Sequence, residues 1–332
     1  MQDVAKAAGV SVATVSRVLN GSDKVSQETT DRVLAACERL DYTLNPIAQS
    51  LRLGRTNSVA AILPYLTLPS IVERLRGVLA ALAKTDFELV PFTLGTPKDR
   101  DAKILELSRP SRTDALMIIS MPVNDDQVDL LLKNKMPTIL VDSQHPKLHR
   151  INVDDRAGGK MVTEHLIELG HTKIAFLSSY LQNPLQFSST VYRFEGYCEA
   201  LKANGIPRIP RYQVEGDHGR EEAKRLAMTL LQQDDPPTAI VASSDTKAVG
   251  VLDAAKALKI KVPEELSVTG YDDIRDAEYV NLTTIQQPLF KTGQLAGRKI
   301  VDLIENPHSE PVEALLPLKL IVRGTTGPVP AK

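Results

Sequence analysis

Residues 3–21 read Asp3-Val4-Ala5-Lys6-Ala7-Ala8-Gly9-Val10-Ser11-Val12-Ala13-Thr14-Val15-Ser16-Arg17-Val18-Leu19-Asn20-Gly21, and the apolar spacing divides them into two short helices joined by a tight turn. Val4, Ala5 and Ala8 make one small apolar face, and Gly9 supplies the turn. Ser11 stands where an N-cap opens a second helix whose inner face is Val15, Val18 and Leu19. Gly21 has the place of a C′ residue closing that helix. A third helix fits 26–40, with Val33, Leu34, Cys37 and Leu40 as its stripe. Three helices of this size with this turn make the helix-turn-helix pattern, whose second helix enters the major groove of DNA by its N-terminal end. Val12 and Ala13 would then meet base edges, where they can read thymine methyls but can neither donate nor accept. Arg17, one turn on, can fork onto guanine O6 and N7. Thr14, Ser16 and Asn20 carry the short polar side chains that suit phosphate contacts.

Outward from this head, Asn45-Pro46 is an N-cap followed by proline at the first helical position, which opens a short helix at 46–51. Two turns fall well below the roughly 12 to 15 residues an isolated helix needs, so this piece is expected to form only on a surface. From residue 59 the period changes to apolar strands alternating with amphipathic helices. Strands are expected at 59–63, 87–92, 115–119, 138–141, 174–177, 212–214, 239–242, 266–269 and 315–322. The helices fall between them, from 71–84 to 290–304. Such alternation implies parallel sheets covered by helices on both faces, and about nine strands imply two doubly wound subdomains. No internal repeat is visible.

In open α/β sheets ligands bind at the carboxyl ends of strands. That rule singles out Tyr65, Ser120, Asp142, Ser178, Ser179, Ser244, Asp245 and Tyr271 to Asp273, a set of hydroxyls and carboxylates suited to a polyhydroxylated ligand. Arg193, at the start of its helix, adds a bidentate donor. The plainer alternative is that Asp245 and Asp272 are N-caps and that Arg193 pairs with Glu195 or Glu199.

Residues 3–21, together with Asn45 to Leu51, resemble the head of the lactose-repressor/galactose-repressor (LacI/GalR) family of transcription regulators. The resemblance runs on through Tyr192 to Gly196, Ser244-Asp245, Gly270 to Asp273 and Leu282 to Pro288. Family members usually carry several residues before the first helix, where this sequence has only Met1 and Gln2 before Asp3. The resemblance implies an all-α helix-turn-helix head plus an α/β periplasmic-binding-protein-like core of two doubly wound parallel-sheet subdomains. Its expected divisions are a DNA-binding domain at 1–44, a hinge helix and linker at 45–57, a core at 58–326 and a tail at 327–332. Within the core, the N-subdomain would take 58–153 and 288–316, and the C-subdomain 154–287 and 317–326. It also implies DNA contacts at Asn45 and Ala48, and a wedge at Leu51 that enters the minor groove and bends the duplex. Arg193 and Asp272 would be the main polar clamps on an effector, with Gln287 at the hinge between subdomains. Ser244 stands where many sugar-binding members have asparagine.

Net charge is −1, and residues 1–55 carry seven basic against six acidic residues, so any DNA affinity must come from placed contacts rather than bulk potential. Neither an 18-residue apolar run nor a signal-like start is present, and a cytoplasmic protein with no membrane contact is expected. Cys37 and Cys198 are expected as packed thiols. Ser244-x-x-Lys247 matches a nucleophile motif of only two fixed positions. His145 and His149 are separated by Pro146, which breaks the helix that would aim both at one metal. Neither an enzyme nor a cofactor or metal is therefore expected. The reading is a homodimer on near-palindromic double-stranded operator DNA, probed by a small effector of sugar type. The alternative is a catabolite-control regulator with a phosphorylated carrier protein as corepressor; members of that type tend to carry lysine at the position of Arg193.

Overall fold

The computed structural model describes residues 1–19, 24–42, 55–109, 111–307 and 309–330. Two compact units are formed, Met1–Thr56 and Asn57–Lys332. In the first, α1 (Gln2–Ala8), α2 (Val12–Val18) and α3 (Gln27–Arg39) enclose a core of Val4, Ala5, Ala8, Val15, Val18, Val33, Ala36 and Cys37. Gly9 ends α1 with φ 65°, the left-handed conformation that a residue without Cβ adopts at least cost. The stripe of α3 differs from the expected one: Leu34 and Leu40 are 50% and 43% exposed, while Ala36 is buried. Residues 33, 36 and 37 share a face at helical spacing, and Leu34 lies about 100° round from Val33. Gly21 and the expected short helix at 46–51 lie outside the described residues.

The second unit runs β1 (Ser58–Leu63), α4 (Pro69–Leu82), β2 (Glu88–Thr93), α5 (Pro97–Leu107), β3 (Ala115–Ile119), α6 (Asp125–Lys133), β4 (Thr138–Val141) and β5 (His149–Val153). It continues with α7 (Asp155–Glu168), β6 (Ile174–Ser179), α8 (Ser188–Ala203), β7 (Gln213–Gly216), α9 (Arg220–Leu231), β8 (Ala239–Ala242) and α10 (Asp245–Ala257). Then follow β9 (Ser267–Asp272), α11 (Arg275–Tyr279), β10 (Thr283–Gln286), α12 (Leu289–Glu305), β11 (Glu313–Leu316) and β12 (Lys319–Ile321). One sheet has the order β11-β5-β4-β3-β1-β2 and is parallel throughout. The other has the order β12-β10-β9-β8-β6-β7, with only β12 antiparallel to its neighbour.

Central strands such as β3 and β4 are buried along their whole length, as helices on both faces require. On the first sheet α4 and α12 cover one apolar layer, while Ile104, Leu107, Val128 and Leu131 of α5 and α6 cover the other. Leu185 and Phe187, from the segment between β6 and α8, are buried in that second layer, so a loop of one half is anchored in the core of the other.

Two strands were not legible beforehand. β5 and β10 are short and carry His149, Arg150, Asn152, Thr283 and Thr284, which mask an apolar run. The single strand expected at 315–322 is two: β11 pairs with β5, β12 pairs with β10, and Pro317 and Leu318 carry the chain from one sheet to the other.

Candidate functional site

In the first unit, the side chain of the N-cap Ser11 accepts a hydrogen bond from the Thr14 backbone N–H at 3.1 Å, fixing the start of α2. Val12, Ala13 and Arg17 are exposed on that helix, and Thr14 and Ser16 are half-buried beside them. Five of the sequence-predicted DNA contacts thus share one short helix. The remaining four, Asn20, Asn45, Ala48 and Leu51, lie outside the described residues.

In the second unit a cleft lies at the carboxyl ends of both sheets. Ser120 and Asp142 reach it from β3 and β4, Asp272 from β9, Ser244 from the loop after β8, Arg193 from α8, and Gln287 from the crossing between β10 and α12. Arg74 of α4 completes the wall. Its guanidinium forms an ion pair with Asp142 and donates to Gln287 Oε1 at 3.1 Å. Gln287 Nε2 donates in turn to Asp272 Oδ1 at 2.6 Å. Arg193 Nη1 stands 3.7 Å from the same Asp272 oxygen, and its Nε donates to Asp155 Oδ1 at 2.7 Å. Arg193 Nη1 also donates to the Ser243 carbonyl, and the guanidinium lies 3.7 Å over the Tyr271 ring. A continuous polar chain therefore joins the two sheets through Gln287. Glu195 and Glu199, the alternative partners for Arg193, are taken by Arg156.

Burial dominates the electrostatics. It pulls on the Arg193 guanidinium, but Asp155 and Asp272 outweigh it and hold the group more firmly protonated than usual. Asp155 is raised above the ordinary carboxylate range by burial, against the pull of Arg193. Asp272 and Asp245 are raised too, again first by burial, with Asp272 adding like charge to Asp245. Arg74 Nε and Asp142 Oδ1 are buried without a hydrogen-bond partner, so the wall offers one free donor and one free acceptor. The enclosed space is about 100 Å³. That is below the roughly 300–1,000 Å³ of small-molecule sites, so a ligand must part groups that now close on each other.

Of the strand-end residues expected there, Tyr65, Ser178, Asp245, Tyr271 and Asp273 do not line this space. Asp245 is fully buried behind it: Oδ1 accepts from Thr284 Oγ1 at 2.5 Å and Oδ2 from the Ile274 N–H at 2.8 Å, which ties α10 to β10 and to the start of α11. Tyr65 stands at the mouth, its ring 4.9 Å from that of His218 and 6.0 Å edge-on to Phe187. The Ser-x-x-Lys match resolves into a helix cap, in which Ser244 Oγ accepts from the Lys247 backbone N–H at 3.4 Å. Arg74 was not singled out from sequence, and Lys247 only as part of the Ser-x-x-Lys match rather than as a cleft residue. Each is a cation set among apolar residues of an amphipathic helix, which is the signal that could have found them. Among the described residues no group of His, Cys, Asp or Glu is arranged to hold a metal.

The family model described as "Bacterial regulatory proteins, lacI family" matches residues 1–45, and the one described as "Periplasmic binding protein-like domain" matches 163–326. The chain is 31% identical to the ribose operon repressor of Escherichia coli (strain K12), over 98% of this chain and 99% of that protein. It is 29% identical to the HTH-type transcriptional repressor CytR of the same organism (99% and 97%) and 29% identical to catabolite control protein A of Priestia megaterium (98% and 98%). Among solved structures it is similar to the Lac repressor dimer bound to operator and the anti-inducer ONPF, with a TM-score of 0.83 at 27% identity over 98% of both chains. It is also similar to a CelR–cellobiose complex, with a TM-score of 0.71 at 29% identity over 98% of both. The ribose operon repressor, CytR and the Lac repressor are repressors rather than enzymes, and the chain belongs to the lacI family of bacterial regulatory proteins.

Proposed function

We propose that this DNA-binding regulator is a homodimeric repressor of a near-palindromic operator, and that a small polyhydroxylated effector of sugar type, bound in the inter-sheet cleft, controls it. The observation that carries the reading is the cleft wall: donors and acceptors from both sheets meet through Gln287, so a ligand there touches both halves at once. Ser120, Asp142, Arg193, Ser244, Asp272 and Gln287 are its proposed contacts, with Tyr65 at the mouth. Asp245 is assigned the supporting role its hydrogen bonds describe. Val12, Ala13 and Arg17 are proposed to meet base edges, Thr14, Ser16 and Asn20 phosphates, and Asn45, Ala48 and Leu51 the centre of the operator. The dimer draws support from apolar side chains left open on α4 and the edge strand β2, where Val72, Leu79 and Val90 are 41%, 53% and 37% exposed.

Selection of bound sequences from a random duplex pool by the full chain tests the DNA side. Inverted repeats whose half-sites lie about one helical turn apart are expected, whereas equal retention of random DNA would remove the reading. Similarity to catabolite control protein A keeps a second reading in view, with a phosphorylated carrier protein as corepressor. The two part on whether a small ligand alone changes operator affinity.

A further inference from the structure

Lys247 lies in the first turn of α10 and lines the cleft at its His218 end, yet it is only 2% exposed. Its Nζ donates to the Asp217 backbone carbonyl at 2.8 Å. Among the described residues no carboxylate comes within ion-pairing distance of it. On the facing helix α9, Glu222 forks onto Arg225 with bonds of 2.8 and 2.7 Å, so its charge is already matched. Deeper in the cleft Asp142 pairs with Arg74, and Arg193 is shared between Asp155 at 2.7 Å and Asp272 at 3.7 Å, two carboxyls that burial pushes toward their neutral form. A buried ammonium with a single neutral acceptor is costly unless something brings a counter-charge. Burial accordingly pulls the Lys247 amine down to about 8, with Glu222 and Asp217 resisting, which still leaves it mostly protonated at neutral pH.

The surroundings suit an anion. Ser179 Oγ and His218 Nδ1 are 3.1 Å apart at this end of the cleft, and the Ser244 and Thr246 hydroxyls border it. Gly219 and Ser244 cap the N-termini of α9 and α10 there, whose backbone N–H groups favour negative charge. Taking the cleft as the effector site, we infer that the effector is an anionic polyhydroxylated molecule whose carboxylate or phosphate seats on Lys247 beside His218. Its hydroxyls face Arg193, Asp272 and Asp142.

Thermal unfolding of the full chain in inorganic phosphate, against chloride at equal ionic strength, reads this directly. Phosphate should raise Tm in the native protein and in Lys247→Arg, and should not do so in Lys247→Met. No phosphate-specific shift in the native protein overturns the inference, as does a shift of equal size in Lys247→Met or one lost equally in Lys247→Arg. Glucose 6-phosphate, glucuronate and glucose then serve as separate arms. The first two distinguish a phosphate from a carboxylate, and a charged ligand should bind roughly 10- to 150-fold more weakly to Lys247→Met. Glucose binding with equal affinity to both proteins, without any charged ligand binding, contradicts the inference. Operator binding without ligand is measured apart, so failure of the regulator reading is told from failure of this one.

Discussion

Arg17 is the one long donor on the exposed face of α2, so the base reading proposed for this helix would rest on it. Arg17→Ala should cost about 1–3 kcal/mol of operator affinity and relax preference at one guanine per half-site. A gel-shift titration in which specific and random DNA weaken equally would contradict that role. Lys247 makes the opposite kind of prediction. Its amine has a lower proton affinity when folded than when unfolded, so between about 8 and its ordinary value the unfolded chain binds more protons and stability rises with pH. At pH 7 the folded state therefore carries the cost of the buried charge, and Lys247→Met should stabilise the ligand-free core by on the order of 1–3 kcal/mol in urea unfolding. The gain should shrink as pH rises past 8, and a variant that is less stable at pH 7 would contradict the account. Backbone strain marks the same site: Ser120, Asp142, Asp272 and Asp273 have φ of 56°, 50°, 119° and 55° at the carboxyl ends of their strands. The strand-end rule read from sequence found Ser120, Asp142 and Asp272 for this reason, since chain ends at a cleft carry polar side chains. It could not tell that Asp245 turns inward to Thr284 and Ile274, nor that Arg74 and Lys247 come in from helices, because side-chain direction depends on packing across the halves.

At the scale of elements, the two sheets repeat one plan. Reading from the edge, β2-β1-β3-β4-β5-β11 corresponds to β7-β6-β8-β9-β10-β12, although no sequence repeat announces it. Each half also presses two helices together at glycines. A Cβ on Gly293 of α12 would lie 1.8 Å from the Arg74 carbonyl, and one on Gly159 of α7 would lie 2.1 Å from the Arg193 carbonyl. The two cleft arginines thus sit at equivalent helix crossings. Gly293→Ala must push α4 away and should lower stability by about 1–3 kcal/mol or more, while Gly95→Ala, with open space around it, should change little. Equal urea midpoints for the two variants would show that the crossing is not tight. The βα alternation was legible because central strands such as β3 and β8 are apolar runs. The split of 315–322 was not, since β11 and β12 are both apolar and only their separate partners distinguish them.

For the whole molecule, the halves are joined where the chain crosses between sheets, at β5 to α7, β10 to α12 and β11 to β12, and Gln287 belongs to the second crossing. The chain of contacts from Asp142 through Arg74 and Gln287 to Asp272 spans the cleft, while Leu185 and Phe187 hold a loop of one half in the other. On the proposed reading, a ligand that replaces some of these bonds would change the relative angle of the halves, the kind of two-state element that allosteric control requires. Arg193→Ala and Asp272→Ala should each abolish the response to ligand. Coupling between cleft and operator is read by titrating the selected operator against the full chain with and without a saturating ligand that raises its Tm. Operator affinity should change by about 5- to 150-fold; identical affinity in both titrations would show that the two sites are uncoupled.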